Sequence, residues 1–347
     1  MEAKRRRHPT IDDIARLAGV STATVDRVLN KRDGVRSITV QRVISAAAEI
    51  GYAPPAELEA ARVTKPARLS VLLPAGNNRY IAALGRLLAS GKEQLRPFNV
   101  ECRVSFIKSF SPTDLAQALL KHAREADGVA FMALEHPAVR EAVSTIAERG
   151  TTTITLISDL AGARRTAYVG LENRAAGRTA GYLIGRFLGH RAAKVAMIAG
   201  SLSYRAHEER EMGFLHLFEE MFPSVEVVGL REGHDESDQN YRQTRILLSQ
   251  HPDLSAIYNI GGGAEGIGRA LREARRDQEV VFVGHGLTAD TRALLIDGTM
   301  DAVINQDPQD TMLKCGAILR NVLSGRDAMF GLSPVKSDIF IRENLPS

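Results

Sequence analysis

The first fifty residues carry apolar side chains at helical spacing, in short stretches separated by turn residues. The first stretch places apolar residues at Ile11, Ile14, Ala15 and Ala18. Thr10 and Asp13 form a capping-box pattern at its start, and Gly19 can adopt the left-handed conformation that ends a helix. Ser21 then offers an N-cap for a second helix. The pattern predicts two short helices joined by a tight turn.

The second helix separates an inward face from an outward face. Val25, Val28 and Leu29 face inward. The outward positions are Thr22, Ala23, Asp26 and Arg27. A third apolar stripe predicts a helix from about residue 37 to residue 50. Three short helices with a glycine-centred turn favour a DNA-binding helix-turn-helix head over a generic helical hairpin.

From residue 68 onward, short apolar runs alternate with amphipathic helical stretches, which is typical of parallel α/β construction. The candidate buried strands read LSVLLPAG, GVAFMAL, TTTITLISD, KVAMIAGS, LSAIYNIGGG and VVFVGHG. Ligands of such sheets collect at the carboxyl ends of the strands. We therefore expect a binding site there.

Composition narrows the class of protein. A length of 347 residues predicts two or three folded units, and 44% hydrophobic with 25% charged residues is ordinary for globular protein. The basic N-terminus lacks the apolar run of a signal peptide, and no segment is long enough to span a bilayer. Cys102 and Cys315 match no metal or redox spacing. We expect a cytoplasmic protein with no membrane contact.

Charge is concentrated at the front of the chain. The first 52 residues hold ten basic and six acidic side chains, which accounts for the whole formal net charge of +4. A basic segment on a neutral body favours a polyanion-binding head attached to a separate sensor.

Two motifs in the head carry a family resemblance. The pattern T-I-x-D-I-A-x-x-A-G-V-S-x-x-T-V-x-R-V-L-N spans residues 10–30, and G-Y-x-P follows at residues 51–54. In both, the head resembles the LacI/GalR family of bacterial regulators. The DNA-binding residues that this resemblance implies are Thr10, Ser21, Thr22, Ala23, Arg27, Asn30, Arg36 and Thr39. Thr10, Arg36 and Thr39 would contact phosphate.

The remaining implied contacts centre on the second helix. Thr22, Ala23 and Arg27 would face bases, and the Arg27 fork can pair with guanine O6 and N7 at about 1–3 kcal/mol of discrimination. Asp26 departs from the family pattern, in which a serine commonly touches phosphate. An acid there repels the DNA backbone unless Arg27, Lys31 or Arg32 neutralises it.

The linker departs further from the family. Its hinge helix usually wedges a leucine into the minor groove, whereas this chain has Ala61 at the wedge position and brings Glu57 and Glu59 toward a groove of negative potential. Leu58 could substitute in a changed register, and Arg62 completes the candidate hinge set. An Ala/Glu-rich linker helix that contributes little to DNA bending is an equally good interpretation.

The resemblance implies a multidomain chain: a small all-α helix-turn-helix head followed by a two-lobed α/β domain like the type I periplasmic binding proteins. We place the head at residues 1–53, the hinge at 54–67 and the effector-binding and dimerisation domain at 68–347. The N-lobe is expected at about 68–169 and 306–328, and the C-lobe at about 170–305 and 329–347.

Polar residues near strand ends and one family motif supply candidate effector contacts. They are Asn77, Asn78, Tyr80, Asp159, Tyr204, Arg210, Asn259, His285 and Gln306. Asp159, Arg210 and Gln306 carry the most weight, because Arg210 matches a family Arg-x-x-Gly-Phe/Trp element whose arginine donates to ligand hydroxyls or a carboxylate. A loop hydrogen bond explains any single residue equally well, but several that converge on one cleft favour binding.

Two acids that sugar-binding family members often carry are missing. Ile260 with Gly261, and Gly286, stand at their positions. We expect a sugar, a polyol or a sugar derivative as effector, and Arg210 with His207 would also tolerate an acidic or phosphorylated ligand.

Other classes fit less well. The GGGAEG turn lacks the lysine and hydroxyl residue of a P-loop, and no catalytic or metal-ligand motif stands out, so no catalytic residue, cofactor or metal is expected. A solute-binding protein or ligand sensor without operator-specific DNA binding is the alternative. The favoured prediction is a transcriptional repressor acting as a homodimer on near-palindromic double-stranded operator DNA, with no heptad extension after the last strand to form a tetramer.

Overall fold

The computed structural model describes residues 9–30, 32, 34–52, 66–189 and 191–346. The head consists of helices α1 (Ile11–Ala18), α2 (Thr22–Leu29) and α3 (Ser37–Glu49). The capping box of Thr10 and Asp13 starts α1, and Gly19 ends it at φ 62° and ψ 43°. The Ser21 hydroxyl accepts the backbone N–H of Thr24 at 3.2 Å. The predicted caps are confirmed, and the apolar faces of the three helices form one buried cluster.

The first sheet of the body is parallel throughout and has the strand order β2-β1-β3-β4-β5. Its strands are β1 (Ala67–Pro74), β2 (Val100–Ile107), β3 (Gly128–Phe131), β4 (Thr152–Leu156) and β5 (Ala167–Val169). Its helices are α4 (Arg79–Ser90), α5 (Lys92–Leu95), α6 (Pro112–His122) and α7 (Pro137–Glu148). This sheet and the helices packed on it form the N-lobe.

The second sheet has the order β11-β10-β9-β8-β6-β7 and forms the C-lobe with its own helices. Its strands are β6 (Ala193–Ala199), β7 (Val225–Glu232), β8 (Leu254–Asn259), β9 (Val281–His285), β10 (Ala302–Gln306) and β11 (Ser337–Phe340). Its helices are α8 (Asn173–Leu188), α9 (Arg205–Met221), α10 (Ser237–Gln250), α11 (Ala264–Glu273) and α12 (Ala289–Ile296).

The chain crosses between the lobes three times. After β5 it enters α8, whose Ile184 is buried in a C-lobe core. After β10 it returns through α13 (Pro308–Leu323), whose Met312 and Ile318 are buried in the N-lobe core. It then reaches β11 in the C-lobe sheet. Within the described ranges, no helix is both long and apolar enough to cross a membrane.

Several strands differ from the sequence pattern. β2 and β7 were not predicted, because each is an edge strand whose side chains are only partly buried and so form no continuous apolar run. β5 was missed because it has three residues. β11 pairs antiparallel with β10, whereas the other strand pairs of this sheet are parallel, as expected. Gln306, one of the candidates near strand ends, is the last residue of β10.

Candidate functional site

The outward face of α2 is open to solvent. Thr22, Ala23 and Arg27 are exposed, whereas Val25 and Val28 on the opposite face are buried in the head. The side chains expected to face bases are therefore not buried in the core of the head, and they can enter a major groove. Ser21 keeps its hydroxyl on the cap of α2, and Asn30 ends the same helix.

Asp26 has a basic partner in the structure. Arg32 Nη1 lies 3.2 Å from Asp26 Oδ2, and Asn30 Nδ2 donates to Asp26 Oδ1 at 2.7 Å. Both charged side chains are well exposed, so the pair is weak in energy. It nevertheless places a positive charge beside the acid that stands at the family's serine position.

The three residues predicted to contact phosphate differ in their burial and in their hydrogen bonds within the protein. Thr10 is engaged in the capping box, and its hydroxyl donates to Asp13 Oδ2 at 2.7 Å. Thr39 is half-buried on α3. Arg36 Nη2 donates to the backbone carbonyl of Arg124 in the N-lobe at 3.0 Å. This hydrogen bond uses one of the five N–H donors of the Arg36 guanidinium, so phosphate contact would use the remaining donors or replace this bond. The hinge candidates Leu58, Ala61 and Arg62 lie outside the described residues.

A cavity of about 570 Å³ lies between the two lobes, at the carboxyl ends of the parallel strands. Six of the nine predicted effector residues line it, namely Asn77, Asn78, Tyr80, Arg210, His285 and Gln306. Within the described part of the chain, no cluster of three or more His, Cys, Asp or Glu side chains is arranged to hold a metal ion. The cavity walls include hydrogen-bonding and charged side chains, among them Arg210, Asp235 and Gln306.

The other three predicted residues are placed elsewhere. Asp159 does not line the cavity; the Arg165 guanidinium pairs with both of its oxygens at 2.5 Å. Burial raises the pKa of this carboxyl, but the hydrogen bonds from Arg165 and Thr155 outweigh it, and the pKa is lowered. Tyr204 is buried against Phe110 at the start of α9. Asn259 is buried behind the glycine turn, where its amide donates to the Gly262 carbonyl at 3.1 Å.

Three consecutive N-lobe residues reach across the cavity to the C-lobe. Asn77 Nδ2 donates to Glu236 at 2.6 Å, and Asn78 Nδ2 donates to Asp235 at 3.0 Å. Arg79 Nε lies 2.5 Å from Asp290 Oδ2. These contacts hold the two lips of the cleft together. The Asn78 amide oxygen also accepts two backbone N–H groups and so caps α4.

Arg210 forms the inner wall of the cavity. Its side chain is buried, its Nε donates to Asn173 Oδ1 at 2.8 Å, and its Nη1 donates to the Ile260 carbonyl at 2.9 Å. Burial lowers the pKa of the guanidinium, yet arginine stays charged because its ordinary pKa is so high. The positive charge is thus fixed in place by two neutral oxygens.

Two histidines accompany Arg210 in the wall. His207 Nδ1 lies 2.9 Å from the Ser201 carbonyl, and burial lowers the pKa of His207 to about 4. His285 Nε2 lies 2.7 Å from the Tyr258 hydroxyl, and burial followed by the charge of Arg210 lowers its pKa well below the ordinary value. Both imidazoles are therefore neutral near pH 7.

Other lining residues were not among the sequence candidates. The sequence pattern indicates His207 only together with Arg210, and it does not indicate Asp235, Glu236 or Thr291. Asp235 accepts the Gly262 N–H at 2.6 Å, so this acid of the cavity wall holds the glycine turn in place. Correct prediction of β7 would have identified Asp235, because this residue lies just beyond that strand.

The comparisons with known proteins agree with both halves of this arrangement. The model of the lacI family of bacterial regulatory proteins matches residues 10–55, and that of the periplasmic binding protein domain matches residues 70–327. The HTH-type transcriptional repressor PurR of Serratia proteamaculans (strain 568) is 28% identical over 266 residues, which cover 75% of this chain and 74% of that repressor.

Two solved structures share the fold of the body. GanP, a glucose-galactose binding protein from Geobacillus stearothermophilus, has a TM-score of 0.73 and 23% identity, covering 82% of this chain and 100% of its own. An ABC transporter solute binding protein from Burkholderia graminis C4D1M, in complex with D-arabinose, has a TM-score of 0.73 and 20% identity, covering 81% of this chain and 96% of its own. With the head matched as well, the chain belongs to the lacI family of bacterial regulatory proteins, as a DNA-binding transcriptional regulator with a periplasmic-binding-protein-like sensor domain.

Proposed function

We propose that the protein is a cytoplasmic transcriptional repressor that binds a near-palindromic operator as a homodimer and changes its operator affinity when a small effector occupies the cleft. The effector is a sugar, a polyol or a sugar derivative. The observation that carries the proposal is the pairing of an exposed recognition face on α2 with a cavity of about 570 Å³ between two lobes.

The head supports operator recognition. Its exposed Arg27 offers a planar fork for guanine, and exposed Thr22 and Ala23 offer a hydroxyl and a methyl contact. One such head covers one half-site, and two heads related by a dimer axis cover a palindrome. The PurR relative is named a repressor, which favours repression as the direction of control.

The cleft supports control by a ligand. A ligand between the lobes contacts both, so it favours the closed arrangement over the open one by its differential affinity for the two. Closure moves the N-lobe, to which the head is attached through the hinge, relative to the C-lobe. Coupling between cleft and operator then follows from linkage, and each ligand changes the affinity for the other by the same factor.

The proposal is tested by selecting DNA from a random library with the full chain, followed by fluorescence anisotropy on the selected duplex and a scrambled one. We expect a palindromic consensus and a two-chain complex by analytical ultracentrifugation. A panel of sugars, polyols, sugar acids and sugar phosphates is then screened for a change in operator affinity. A chain that binds panel members but selects no consensus is instead the ligand sensor without operator-specific binding.

A further inference from the structure

The head contacts the N-lobe through the first turn of α3. Arg36, the residue before this helix, donates from Nη2 to the backbone carbonyl of Arg124 at 3.0 Å. Ile38 packs against the hydrophobic core cluster of the N-lobe, and a Cβ added at Gly150 would lie 3.8 Å from its Cδ1. α3 also lies beside α13. We call the contact of Arg36 and Ile38 with Arg124 and Gly150 the docking contact.

Ile38 does not serve the core of the head. The inward face of α3 carries Val40, Val43, Ile44 and Ala47, which are buried in the cluster formed by the three head helices. Ile38 lies off this stripe and packs instead against the N-lobe cluster. An aliphatic side chain has no donor to offer a phosphate. The partial burial of Ile38 is therefore a product of the docking contact.

The docking contact lies at the opposite end of the N-lobe from the cleft. Arg124 and Gly150 come shortly before β3 and β4, so they lie near the amino ends of these parallel strands. The cleft lies at the carboxyl ends. α13 connects the two ends, because it begins two residues after Gln306, whose Nε2 donates to Thr311 of this helix at 2.9 Å. The docking contact is thus separate from the cleft, but it adjoins a helix that starts there.

The first turn of α3 is also the segment that the family resemblance assigns to phosphate. Arg36 and Thr39 are the implied contacts, and Ile38 lies between them in the chain. A phosphate oxygen has to approach a donor to about 3 Å to form a hydrogen bond. In the docked arrangement the N-lobe is packed against Ile38 and bonded to Arg36. The N-lobe surface and the backbone of a DNA duplex therefore compete for one turn of helix.

We infer that docking of α3 on the N-lobe is an autoinhibitory contact, which lowers the affinity of the chain for DNA until the head is released. The inference rests on the proposed function, because it concerns the regulation of the same DNA-binding head. When only a fraction of the molecules has a free head, the apparent affinity for DNA is the intrinsic affinity multiplied by that fraction. Phosphate contacts carry no base information, so docking lowers the affinity for every DNA sequence alike.

The first test releases the head. Ile38→Ala removes the apolar contact, adds no donor for phosphate and keeps a good helix former in α3. Without effector, we expect the full chain to bind the selected operator and a scrambled duplex about threefold to tenfold more tightly, the factor that partial burial of one isoleucine supports. Fluorescence anisotropy measures both affinities.

The matched control for this variant is Leu17→Ala, which shortens an aliphatic side chain that is 47% exposed on α1. It should leave both affinities unchanged. The melting temperature shows whether each variant is folded. An affinity of the folded Ile38→Ala variant that is equal to that of the unaltered chain, or lower, overturns the inference.

The second test locks the head in place. The short distance between Ile38 and Gly150 brings thiols at these two positions within reach, so Ile38→Cys combined with Gly150→Cys should form a disulfide within one chain when diamide is added. Diamide takes up the two thiol hydrogens and becomes the hydrazine. We expect the oxidised protein to bind both duplexes at least about tenfold more weakly than the same protein after reduction with dithiothreitol.

Comparison of two redox forms of one protein removes the effect of the left-handed backbone at Gly150, where φ is 70°. The Ile38→Cys variant alone, treated with diamide in the same way, controls for the native Cys102 and Cys315. An oxidised double variant that binds DNA as tightly as its reduced form overturns the inference.

Docking and operator recognition can fail separately. Formation of the disulfide is measured without DNA, so a double variant that forms no disulfide within one chain overturns the docking contact even if an operator is selected. Failure to select any operator overturns the proposed function. A disulfide that weakens binding to the scrambled duplex would still support autoinhibition of phosphate contact in that case.

Discussion

The recognition face and the effector cleft hold their functional side chains in opposite ways. On α2, Thr22, Ala23 and Arg27 are exposed and lie within six consecutive residues. In the cleft, Arg210 and Gln306 are buried, hydrogen-bonded and drawn from elements almost a hundred residues apart. The first arrangement separates function from folding, whereas the second uses the same hydrogen bonds for both. Substitutions should therefore change binding alone in the head, but binding and stability together in the cleft.

The largest effect is expected where α8 crosses α9 beneath the cleft. A methyl group added at Gly177 would overlap the backbone carbonyl oxygen of Arg210, and Gly213 approaches the Arg174 carbonyl in the same way. Gly177→Ala forces the helices apart, so we expect the free energy of unfolding to fall by about 1–3 kcal/mol and effector affinity to fall with it. Urea unfolding and ligand titration measure the two effects.

Arg186→Ala is the control for this substitution, because Arg186 lies on the exposed face of the same helix. It should leave both quantities nearly unchanged. If Gly177→Ala lowers stability without weakening the ligand, the position of Arg210 does not depend on this crossing.

The same contrast explains what could be predicted from the sequence. The caps at Thr10, Gly19 and Ser21 depend on neighbours within a few residues, so local pattern was sufficient for them. Asp159 looked equally convincing at a strand end, yet Arg165 six residues later neutralises it. Asp235 was missed because the edge strand before it has no continuous apolar run. Patterns within a few residues are therefore sufficient to predict the helices and caps of the head. They do not predict which polar residues at strand ends come together in the cleft, because that depends on contacts between distant parts of the chain.

The next effect concerns the recognition face. Arg27→Ala removes the proposed guanine contact, and we expect about 1–3 kcal/mol less specific binding with no change in melting temperature. Fluorescence anisotropy on the selected operator and on a scrambled duplex measures the two affinities. Arg16→Ala is the matched control, since it removes the same charge from an exposed position on α1. Equal losses on both duplexes, or by both variants, would exclude base readout by Arg27.

A smaller effect is expected at the lips of the cleft, because the side chains there are exposed to solvent, as they are on the recognition face of the head. The Arg79 and Asp290 side chains are 64% and 24% exposed, so their ion pair should contribute about 0.2–1 kcal/mol to the closed arrangement. Arg79→Gln, Asp290→Asn and the double variant form a thermodynamic cycle on effector affinity. A coupling energy of zero would show that this pair does not hold the cleft closed in solution.

The smallest effect is expected from Asp26, the one acid on the recognition face. Its partner Arg32 lies 3.2 Å away, so the acid's repulsion of DNA is already partly offset. Asp26→Ser restores the family residue and frees Arg32 for phosphate, which should strengthen binding to every DNA sequence by a few-fold at low salt and steepen its salt dependence by about one phosphate contact. Specificity should not change, because phosphate contacts carry no base information. A salt titration of both duplexes measures this, with Asp12→Ser on the exposed face of α1 as the control. Strengthening confined to the selected operator would mean that Asp26 reads bases, and the recognition face would then extend beyond the three side chains that the motif implies.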